Sequence, residues 1–487
     1  MSSGLPHQFV MQCLDANYMG DGMLYAEIQK DDLVHCNATN EWMIWNGDFW
    51  ELDAMNRYAS KVEDVAQVYA EQVPEVEAQK KDAEKNGNEG LSKWLEHRIK
   101  ELNDRVKRLR SPAGSDACLD YAWKRLEKPL AITGDELDQD KWIVGCQNGT
   151  IDLRTGEFRR GVREDWRTKT LGVPWPEEGW DAKCPTIDAF LWDICEDQDV
   201  VDFIWRWMGY CLTGSVKFQN FLFLAGEGRN GKGVLMELFM SLLGTYGGPI
   251  QGEMLLDQGR ASSSNSHSAD IVNLRGLRGV VASESDEGRR FSSSRVKLFS
   301  GGDTLTGRPP NASRYITFDP TFKINIMSNF PPHAPAGDYA FWDRMIYMLF
   351  PFKFCYNPKR SNEKKRDDDI LSRLKRELSN ALPRLVEAQT VAMSDGLGIP
   401  EACVTAKAGY RREEDSLQDY IDACVIEAPG NDVEASALYK SFTTWWQETK
   451  GRARVPSDSW FGRHMGKKVE KKRSKTVRYL NIAVISS

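Results

Sequence analysis

The chain has 487 residues and a formal net charge of −7, with 41% hydrophobic and 28% charged residues. This composition excludes a disordered or fibrous chain, and the length corresponds to about three domains. No apolar run reaches the ~18 residues of a membrane-spanning helix, and the N-terminus lacks a secretory signal pattern, so we expect a cytoplasmic protein with no membrane contact. The ten cysteines contain no C-x-x-C pair, which argues against a zinc ribbon and a disulfide framework.

The N-terminal part of the chain predicts a mixed α and β region. Across the first 50 residues aromatic and polar positions alternate around short turns, and an Asn-Gly pair at 46–47 between two apolar runs indicates a hairpin. A charged pattern from Met55 to about Arg110 predicts two long helices joined by a polar loop. Glycine-containing turns at 143–156 predict another strand and turn system, and a Pro- and Trp-rich segment then indicates a domain boundary near residue 175.

Beyond this boundary, apolar helices over 187–212 precede a strand at 220–225, and strands then alternate with helices to about residue 350. Such alternation predicts an α/β domain with a largely parallel sheet, closed by a charged helix around 367–387. After Pro400, three helices and a basic hairpin predict a winged-helix module. The predicted domains are an α+β accessory domain (1–175), a helical collar (176–212), the α/β core (213–400) and the winged helix (405–487).

A phosphate-binding loop follows the predicted strand at 220–225. Its seven residues fit the pattern G-x-x-x-x-G-K, and a helix with a regular apolar face comes next. Glycines let successive backbone N–H groups turn towards phosphates, the helix N-terminus adds its dipole, and the lysine supplies a positive charge. A glycine turn with a surface lysine is the alternative. The predicted ATP site consists of Gly226, Glu227, Gly228, Arg229, Asn230, Gly231, Lys232, Gly233 and Val234.

The metal ligands must come from outside this loop, because Gly233 stands where the usual pattern has a Ser or Thr hydroxyl for Mg²⁺. The next strand-like run, 277–284, ends in Glu284 and is followed by Asp286 and Glu287. Carboxylates at a strand end beside the phosphate loop are suited to anchor Mg²⁺ and to orient the attacking water. Glu284 is the first candidate. Asp286 and Glu287 are the second, with a solvated acidic turn as the alternative for both.

Four ordered motifs resemble the helicase half of phage and plasmid primase-helicases, which are superfamily 3 helicases related to the poxvirus primase-helicase. The resemblance extends over roughly residues 20–355. It implies an AAA+ type ATPase core that forms a hexameric ring, hydrolyses ATP between subunits and moves along single-stranded DNA from 3′ to 5′. The motifs are the phosphate loop with its flanks (223–233), the acidic run 281–290, the segment 297–303 and, upstream, 148–156.

The same resemblance implies roles for single residues. Lys232 matches the Walker A lysine, and Glu284 matches the acid that ends the Walker B strand. Asn329, at the end of the apolar run 322–329, matches the residue that senses the γ-phosphate; an isolated Asn there would be interpreted as a turn cap. Arg344 matches the arginine finger, which reaches the neighbouring subunit's site and neutralises charge during phosphoryl transfer. Without the resemblance it would be an ordinary surface arginine.

Two regions predict contacts with DNA. The segment 301–318 has a strand, turn and strand pattern, which in the resembling family is a hairpin that points into the ring channel. The segment Arg463–Arg478 carries eight basic residues and one acid, as expected of a duplex- or origin-binding module whose recognition helix is 457–468. Solvated side chains and a flexible basic hairpin are the alternatives. The candidate contacts are Lys297, Arg308, Arg314, Lys467, Lys468, Lys471, Lys472 and Arg473.

Together these patterns predict an ATP- and Mg²⁺-dependent replicative DNA helicase of a phage or mobile element, acting in the cytoplasm of a bacterial host. The expected partners are single-stranded and forked DNA, further copies of the chain in a hexamer, and a separate primase or polymerase. One alternative is a DNA-binding AAA+ ATPase that acts as an initiator, loader or switch without processive unwinding, with which Gly233 is easier to reconcile. Another is a nucleotide-binding scaffold in which ATP only holds a ring together.

Overall fold

The computed structural model describes residues 4–257, 266–283, 289–308, 315–329, 331–451, 455–473 and 476–485. The chain forms two compact units, 1–179 and 180–487. The first unit contains the helices α1 (His7–Asp15), α2 (Asn17–Gln29), α3 (Arg57–Ser60), α4 (Val62–Lys85), α5 (Glu89–Leu109) and α6 (Pro112–Asp120). Its strands are β1 (Leu33–Cys36), β2 (Glu41–Trp45), β3 (Trp50–Leu52), β4 (Ala131–Ile132), β5 (Ile143–Cys146), β6 (Gly149–Asp152) and β7 (Glu157–Arg159).

Helices dominate the core of the first unit. The helices α4 and α5 confirm the two long helices predicted between residues 55 and 110. Residues 7–29 form α1 and α2, which corrects the expectation of short turns throughout the first 50 residues. The glycines of α2 concealed its helical pattern, and packing explains one of them. A Cβ at Gly20 would lie 1.8 Å from the Cys13 carbonyl oxygen, so the two helices touch there.

Two small sheets complete the first unit. One has the order β3-β2-β1-β4, and its antiparallel pair β2–β3, with Trp45 opposite Trp50, confirms the predicted hairpin. The other, β5-β6-β7, is antiparallel and confirms the strand and turn system predicted at 143–156. The ring of Trp50 stacks on that of Trp166 with centroids 5.4 Å apart. The first unit is therefore mixed α and β, as predicted.

The second unit contains twelve α-helices and twelve strands among its described residues, and no described helix in either unit is both long and apolar enough to span a bilayer. The helices are α7 (Pro185–Cys195), α8 (Gln198–Leu212), α9 (Lys232–Leu243), α10 (Ser266–Val272), α11 (Ser293–Ser300), α12 (Tyr339–Arg344), α13 (Ile370–Arg376), α14 (Leu382–Asp395), α15 (Glu401–Glu413), α16 (Ser416–Cys424), α17 (Ala435–Lys450) and α18 (Asp458–Lys468). The strands are β8 (Phe221–Ala225), β9 (Gly247–Pro249), β10 (Gly279–Ser283), β11 (Leu305–Gly307), β12 (Ile316–Phe318), β13 (Lys323–Ser328), β14 (Met345–Leu349), β15 (Lys353–Cys355), β16 (Glu363–Lys365), β17 (Val425–Glu434), β18 (Lys471–Arg473) and β19 (Val477–Val484).

A five-stranded sheet organises the second unit. Its order is β14-β8-β13-β10-β9 and every pair is parallel, which confirms the predicted α/β class. The interior strand β8 reads Phe-Leu-Phe-Leu-Ala and is buried throughout, because both faces of a parallel sheet are covered. We call the edge where the strands begin the amino edge and the edge where they end the carboxyl edge. The antiparallel pair β11–β12, which we call the hairpin, confirms the two strands predicted within 301–318, and the predicted turn at 309–314 lies outside the described residues.

Two predicted boundaries differ in the structure. The charged helix predicted around 367–387 is divided into α13 and α14, and Pro383 lies in the first turn of α14, where its missing N–H does no harm. The helix α15 begins at Glu401, and its residue Tyr410 stacks on Tyr347 of β14 with centroids 4.9 Å apart. Residues 405–413, which the sequence assigned to the C-terminal module, therefore pack into the α/β core.

We call residues 416–484 the C-terminal module. The three helices α16, α17 and α18 surround a buried cluster that includes Tyr420, Phe442 and Phe461. The sheet β17-β19-β18 completes the module and contains the basic hairpin β18–β19. The strand β17 was not predicted, because residues 428–431 have a turn composition; its register shifts between Glu427 and Asp432. Three helices and a three-stranded sheet are therefore the observed elements of this module.

Candidate nucleotide-binding site

The phosphate loop lies at the carboxyl edge of the sheet. The strand β8 ends at Ala225, and α9 begins at Lys232 directly after the loop. The neighbouring strand β13 runs parallel to β8 with Ser328 opposite Ala225, so the next residue, Asn329, lies beside the loop. Because β8 and β13 are parallel, their ends bring the two motifs together although the sequence separates them widely.

Glycines give this loop its shape. Gly226, Gly228 and Gly231 have φ angles of 155°, 92° and 89°, conformations that side chains with a Cβ rarely adopt. A Cβ at Gly226 would also lie only 2.1 Å from the Nδ2 atom of Asn230, which is buried beneath the loop at 3% exposure. A Cβ at Gly231 would lie 2.6 Å from Ile194 Cγ2 of α7. The loop is therefore a tight backbone turn held against its own asparagine and a neighbouring helix.

Lys232 is held by two oxygen atoms at the mouth of the loop. Its side chain is buried, with 5% of the residue exposed. The Nζ atom donates to the carbonyl oxygen of Gly226 at 2.7 Å and to Oδ1 of Asn329 at 3.1 Å. The structure thus brings together two residues that the sequence singled out separately. A phosphate oxygen bound at the mouth of the loop could replace one of these acceptors, and the Lys232 side chain would not need to move far.

A cleft of about 910 Å³ opens above the loop and has two chemically different ends. One end is polar and is formed by the loop and by the residues at the ends of β10 and β13. The other end contains apolar side chains from α7, β15 and α13, suited to a flat aromatic base. The polar end includes Arg229, Asn230, Lys232, Ser283, Ser328 and Asn329, and the apolar end includes Phe190, Phe354, Ile370 and Leu371.

Local sequence patterns did not reveal the apolar end or the segment 365–373 that borders it. Hydrogen bonding of Phe354 N to the Arg229 carbonyl oxygen at 2.7 Å places β15 against the loop. The charged side chains of the border pair with each other: Arg366 Nε lies 2.6 Å from Asp368 Oδ1, and Arg373 pairs with Asp367. No motif in the sequence connects these residues to the phosphate loop, because they are contributed by elements far apart in the chain.

The predicted metal ligands follow β10 in the sequence. Glu284, Asp286 and Glu287 lie outside the described residues, directly after the end of β10 at Ser283. Within the described ranges no group of three or more His, Cys, Asp or Glu side chains is arranged to hold a metal ion. The donors that face the cleft there are the hydroxyls of Ser283 and Ser328 and the amide of Asn329. Gly233 also lines the cleft, and a Cβ at this position would meet no atom within 4 Å.

Arg344 lies at the other edge of the sheet. It ends α12, and β14 begins at the next residue, Met345, opposite Phe221 at the start of β8. Its guanidinium donates to the Ala340 carbonyl oxygen at 3.1 Å and to Gln219 Oε1 at 3.0 Å. A five-residue strand spans about 16 Å, so Arg344 does not reach the phosphate loop of its own chain.

The residues predicted to grip DNA near the hairpin have partners of different kinds. Lys297 is on α11, and its Nζ pairs with Asp338 Oδ2 at 2.9 Å; Asp338 also caps α12. The guanidinium of Arg308 lies 5.6 Å from the ring centroid of Tyr315, which is 66% exposed. Arg314 is outside the described residues. Lys297 therefore forms an ion pair within the chain, whereas Arg308 lies beside the exposed aromatic ring of Tyr315.

The basic residues predicted in the C-terminal module occupy two elements. Lys467 and Lys468 lie on α18, and Lys471, Lys472 and Arg473 form β18. Lys468 Nζ donates to Asp415 Oδ2 at 2.7 Å and to Gln418 Oε1 at 2.6 Å, so its charge is already compensated within the chain. Lys472 is exposed on the edge strand β18.

The chain is similar in sequence to one described protein family and to several viral proteins. The family described as D5 N terminal like matches residues 21–196. "Putative helicase L207/L206" of Acanthamoeba polyphaga mimivirus is 26% identical over 324 residues, 64% of this chain and 33% of its own length. "Putative helicase 121R" of Invertebrate iridescent virus 3 is 23% identical over 337 residues, 64% of this chain and 36% of its own length. The chain thus spans about a third of the length of these relatives.

Among solved structures, the apo structure of the NrS-1 C terminal region covers 70% of this chain and 96% of its own, at 11% identity and a TM-score of 0.40. The family match lies in the N-terminal part of the chain, and the matches to the two viral relatives each extend over 64% of it. The chain is thus similar in sequence to viral proteins named as putative helicases and to the D5 N terminal like family, which supports the resemblance to phage and viral primase-helicases seen in its motifs.

Proposed function

We propose that this chain is an ATP-hydrolysing motor of the AAA+ class that unwinds DNA during replication of a phage or virus-like element. The observation that carries the proposal is the pair formed by Lys232 and Asn329 at the mouth of a glycine loop, on the carboxyl edge of a parallel sheet. Helicase names among the viral relatives support the same activity. The sheet order, in which β13 separates β8 from β10, is compatible with the AAA+ class.

The cleft fits a nucleoside triphosphate. Backbone N–H groups of the loop and the N-terminus of α9 would bind the phosphates, and Lys232 would exchange its two oxygen acceptors for phosphate oxygens. The base would lie between Phe190 and Phe354 at the apolar end. Bound Mg²⁺ would neutralise charge between the β and γ phosphates. Glu284 is the proposed anchor and water orienter, with Asp286 and Glu287 as further metal ligands, and Asn329 would contact the γ-phosphate.

We propose that Arg344 acts on the nucleotide of a neighbouring copy. Its position at the amino edge, about 16 Å from its own loop, supports action between subunits. A guanidinium that enters the neighbour's cleft would stabilise the charge that develops on the transferred phosphoryl group. Hydrolysis would then depend on assembly, which supports a closed ring, with six subunits and movement from 3′ to 5′ expected from the family resemblance.

DNA is the proposed track. The hairpin β11–β12 with Arg308 and Tyr315 combines a cation with an exposed aromatic ring, the combination that binds single strands without sequence preference. The C-terminal module, which we propose to be a winged helix, would contact duplex DNA through Lys467, Lys471, Lys472 and Arg473. A separate primase or polymerase is the further partner that replication would require.

The test of this function is strand displacement. A forked DNA with one labelled strand would be incubated with ATP and Mg²⁺ and with wild type or Lys232→Ala protein at equal salt. We expect ATP-dependent displacement by the wild type and a loss of at least about a hundredfold in the variant, because the variant lacks a charge that stabilises the transition state. Absence of displacement by wild-type protein that hydrolyses ATP would refute the helicase function.

That same outcome would favour a second candidate function. A DNA-binding AAA+ ATPase that acts as an initiator, loader or switch needs slower hydrolysis, and Gly233 supports it because the loop lacks the hydroxyl that usually binds Mg²⁺. The two functions differ in whether hydrolysis is accompanied by unwinding. A measurement of ATP turnover per base pair unwound on the same fork therefore separates them.

A further inference from the structure

Arg229 has an unusual backbone for its residue type. Its φ angle is 52°, in the left-handed region that glycine adopts freely and that the Cβ of other residues disfavours. It follows Gly228, which has a φ of 92°, and lies within the phosphate loop. Disfavoured backbone conformations that persist in folded proteins cluster at active sites and ligand-binding loops.

The side chain of Arg229 is available for a ligand. Arg229 is exposed and lines the cleft of about 910 Å³. Among the described residues its guanidinium has no ion pair and donates no hydrogen bond, whereas Arg366 and Arg373 on the same cleft are paired with Asp368 and Asp367. Arg229 is thus the cleft arginine whose charge the described chain leaves uncompensated.

The loop also lacks the hydroxyl that usually binds Mg²⁺, and the positive charge of Arg229 could replace its effect. Gly233 provides no hydroxyl for Mg²⁺, so a metal bound here would be attached less firmly to the loop. A guanidinium has planar, paired donors that match phosphate oxygens, and it carries its charge at every physiological pH. A cation at 229 and a missing hydroxyl at 233 therefore lie within five residues of the same loop.

We propose that Arg229 binds the polyphosphate of a nucleoside triphosphate in its own subunit and compensates for the hydroxyl missing at Gly233. This inference rests on the proposed function and specifies how the same site holds its substrate. Binding of the nucleotide then depends less on Mg²⁺ than it would with a Ser or Thr at 233, because part of the neutralising charge belongs to the protein.

The experiment is a titration of the full chain with a fluorescent N-methylanthraniloyl derivative of ATP, once with Mg²⁺ and once with EDTA. We expect Arg229→Gln to weaken binding about tenfold in both conditions, the size of a lost charged hydrogen bond. Arg229→Lys should retain part of the affinity. Arg376→Gln is the matched control, because Arg376 is exposed on α13, does not line the cleft and has no ion pair within the described residues.

Two further variants distinguish a binding role from a structural one. Arg229→Gly relieves the backbone but removes the charge, so we expect the same loss as in Arg229→Gln; wild-type affinity in this variant would overturn the proposal. In the Arg229→Gln background, Gly233→Ser should restore affinity with Mg²⁺ and not with EDTA. The added hydroxyl has room among the described residues, none of which places an atom within 4 Å of a Cβ at 233.

The outcomes separate this inference from the proposed function. Unchanged affinity in all Arg229 variants, together with lost binding in Lys232→Ala, would remove Arg229 from the site and leave the ATPase intact. Flat titrations for the wild type in both conditions would remove the ATPase and, with it, the role of Arg229. Loss in the Gln and Gly variants with Mg²⁺-dependent recovery by Gly233→Ser would establish the compensation.

Discussion

The two edges of the parallel sheet use their cations in opposite ways. At the carboxyl edge, Arg229 and Lys232 line the cleft, and Lys232 donates to two oxygen atoms that a ligand can replace. At the amino edge, Arg278 and Lys323 are buried, with 4% and 2% of each residue exposed. Positively charged side chains thus line the ligand cleft at the carboxyl edge, whereas at the amino edge they are buried inside the protein.

The cations at the amino edge differ from those at the cleft because they donate to backbone carbonyl oxygens of the chain itself. The Arg278 guanidinium donates to the Leu212 carbonyl oxygen at 2.6 Å, and Lys323 Nζ donates to the carbonyl oxygens of Thr213 and of Thr321, the latter at 3.1 Å. These groups satisfy carbonyls at the C-terminus of α8, where a helix favours positive charge. Burial lowers the pKa of Lys323 to about 7, and the nearby Arg278 acts in the same direction.

Arg344 is the residue that breaks this pattern, since it lies at the amino edge and is proposed to act on a nucleotide. We expect Arg344→Ala to lower the ATPase kcat about a thousandfold, with nucleotide affinity and Tm unchanged. The measurement is steady-state ATPase activity beside nucleotide titration. Mixing Arg344→Ala with Lys232→Ala subunits should restore part of the activity, because each variant supplies what the other lacks. Wild-type turnover in Arg344→Ala alone would contradict action between subunits.

The pH dependence of stability tests the buried state of Lys323 at the amino edge. Its pKa is about 7 in the folded chain and ordinarily 10.5, so between these values the unfolded state binds more protons and stability rises with pH. From pH 7 to pH 9 we expect the free energy of unfolding to gain about 2 kcal/mol from this group. Lys323→Met should lose this increment, whereas the exposed control Lys440→Met should keep it. Parallel stability curves for the wild type and Lys323→Met, measured by denaturant unfolding, would show that Lys323 does not titrate there.

A substitution at Arg308 tests whether the hairpin contacts DNA. The second strand of the hairpin, β12, precedes β13, which starts at the amino edge. We expect Arg308→Ala to weaken single-stranded DNA binding uniformly across sequences and to reduce the slope of log affinity against log salt by about 1. Lys440→Ala, an exposed lysine on α17, is the matched control. The measurement is fluorescence anisotropy of a labelled oligonucleotide at several salt concentrations. An unchanged slope would exclude a phosphate contact by Arg308.

Much of the candidate site followed from local patterns. A buried five-residue strand, a glycine loop and an amphipathic helix are adjacent in sequence, so the order of residues alone locates the phosphate loop around Lys232. Asn329 was identified through the family resemblance, which expects a polar residue at the end of this apolar strand. Neither pattern points to Phe190 or Phe354, since an aromatic residue in a helix or a strand is ordinarily part of a core, and nothing nearby in sequence marks these two as cleft residues.

Local composition also misled in two places. The helix α2 contains Gly20, which lowers helix propensity but permits the close approach to α1. The strand β17 contains Pro429 and Gly430, typical of a turn, and accommodates them at a shift of register. In both cases tertiary packing overrode the local preference, which is why these elements were not predicted.

The sequence by itself determined the elements and motifs that depend on a few neighbouring residues: the phosphate loop, the period of the strands and helices, and the basic hairpin near the C-terminus. The tertiary structure alone decided which of these meet. Strand order places Asn329 beside Lys232 and Arg344 at the opposite edge, and helix packing gives Lys297 and Lys468 their acidic partners. The reason is physical: periodicity and turn chemistry act within a few residues, whereas contacts between distant segments depend on how the whole chain buries its apolar surface.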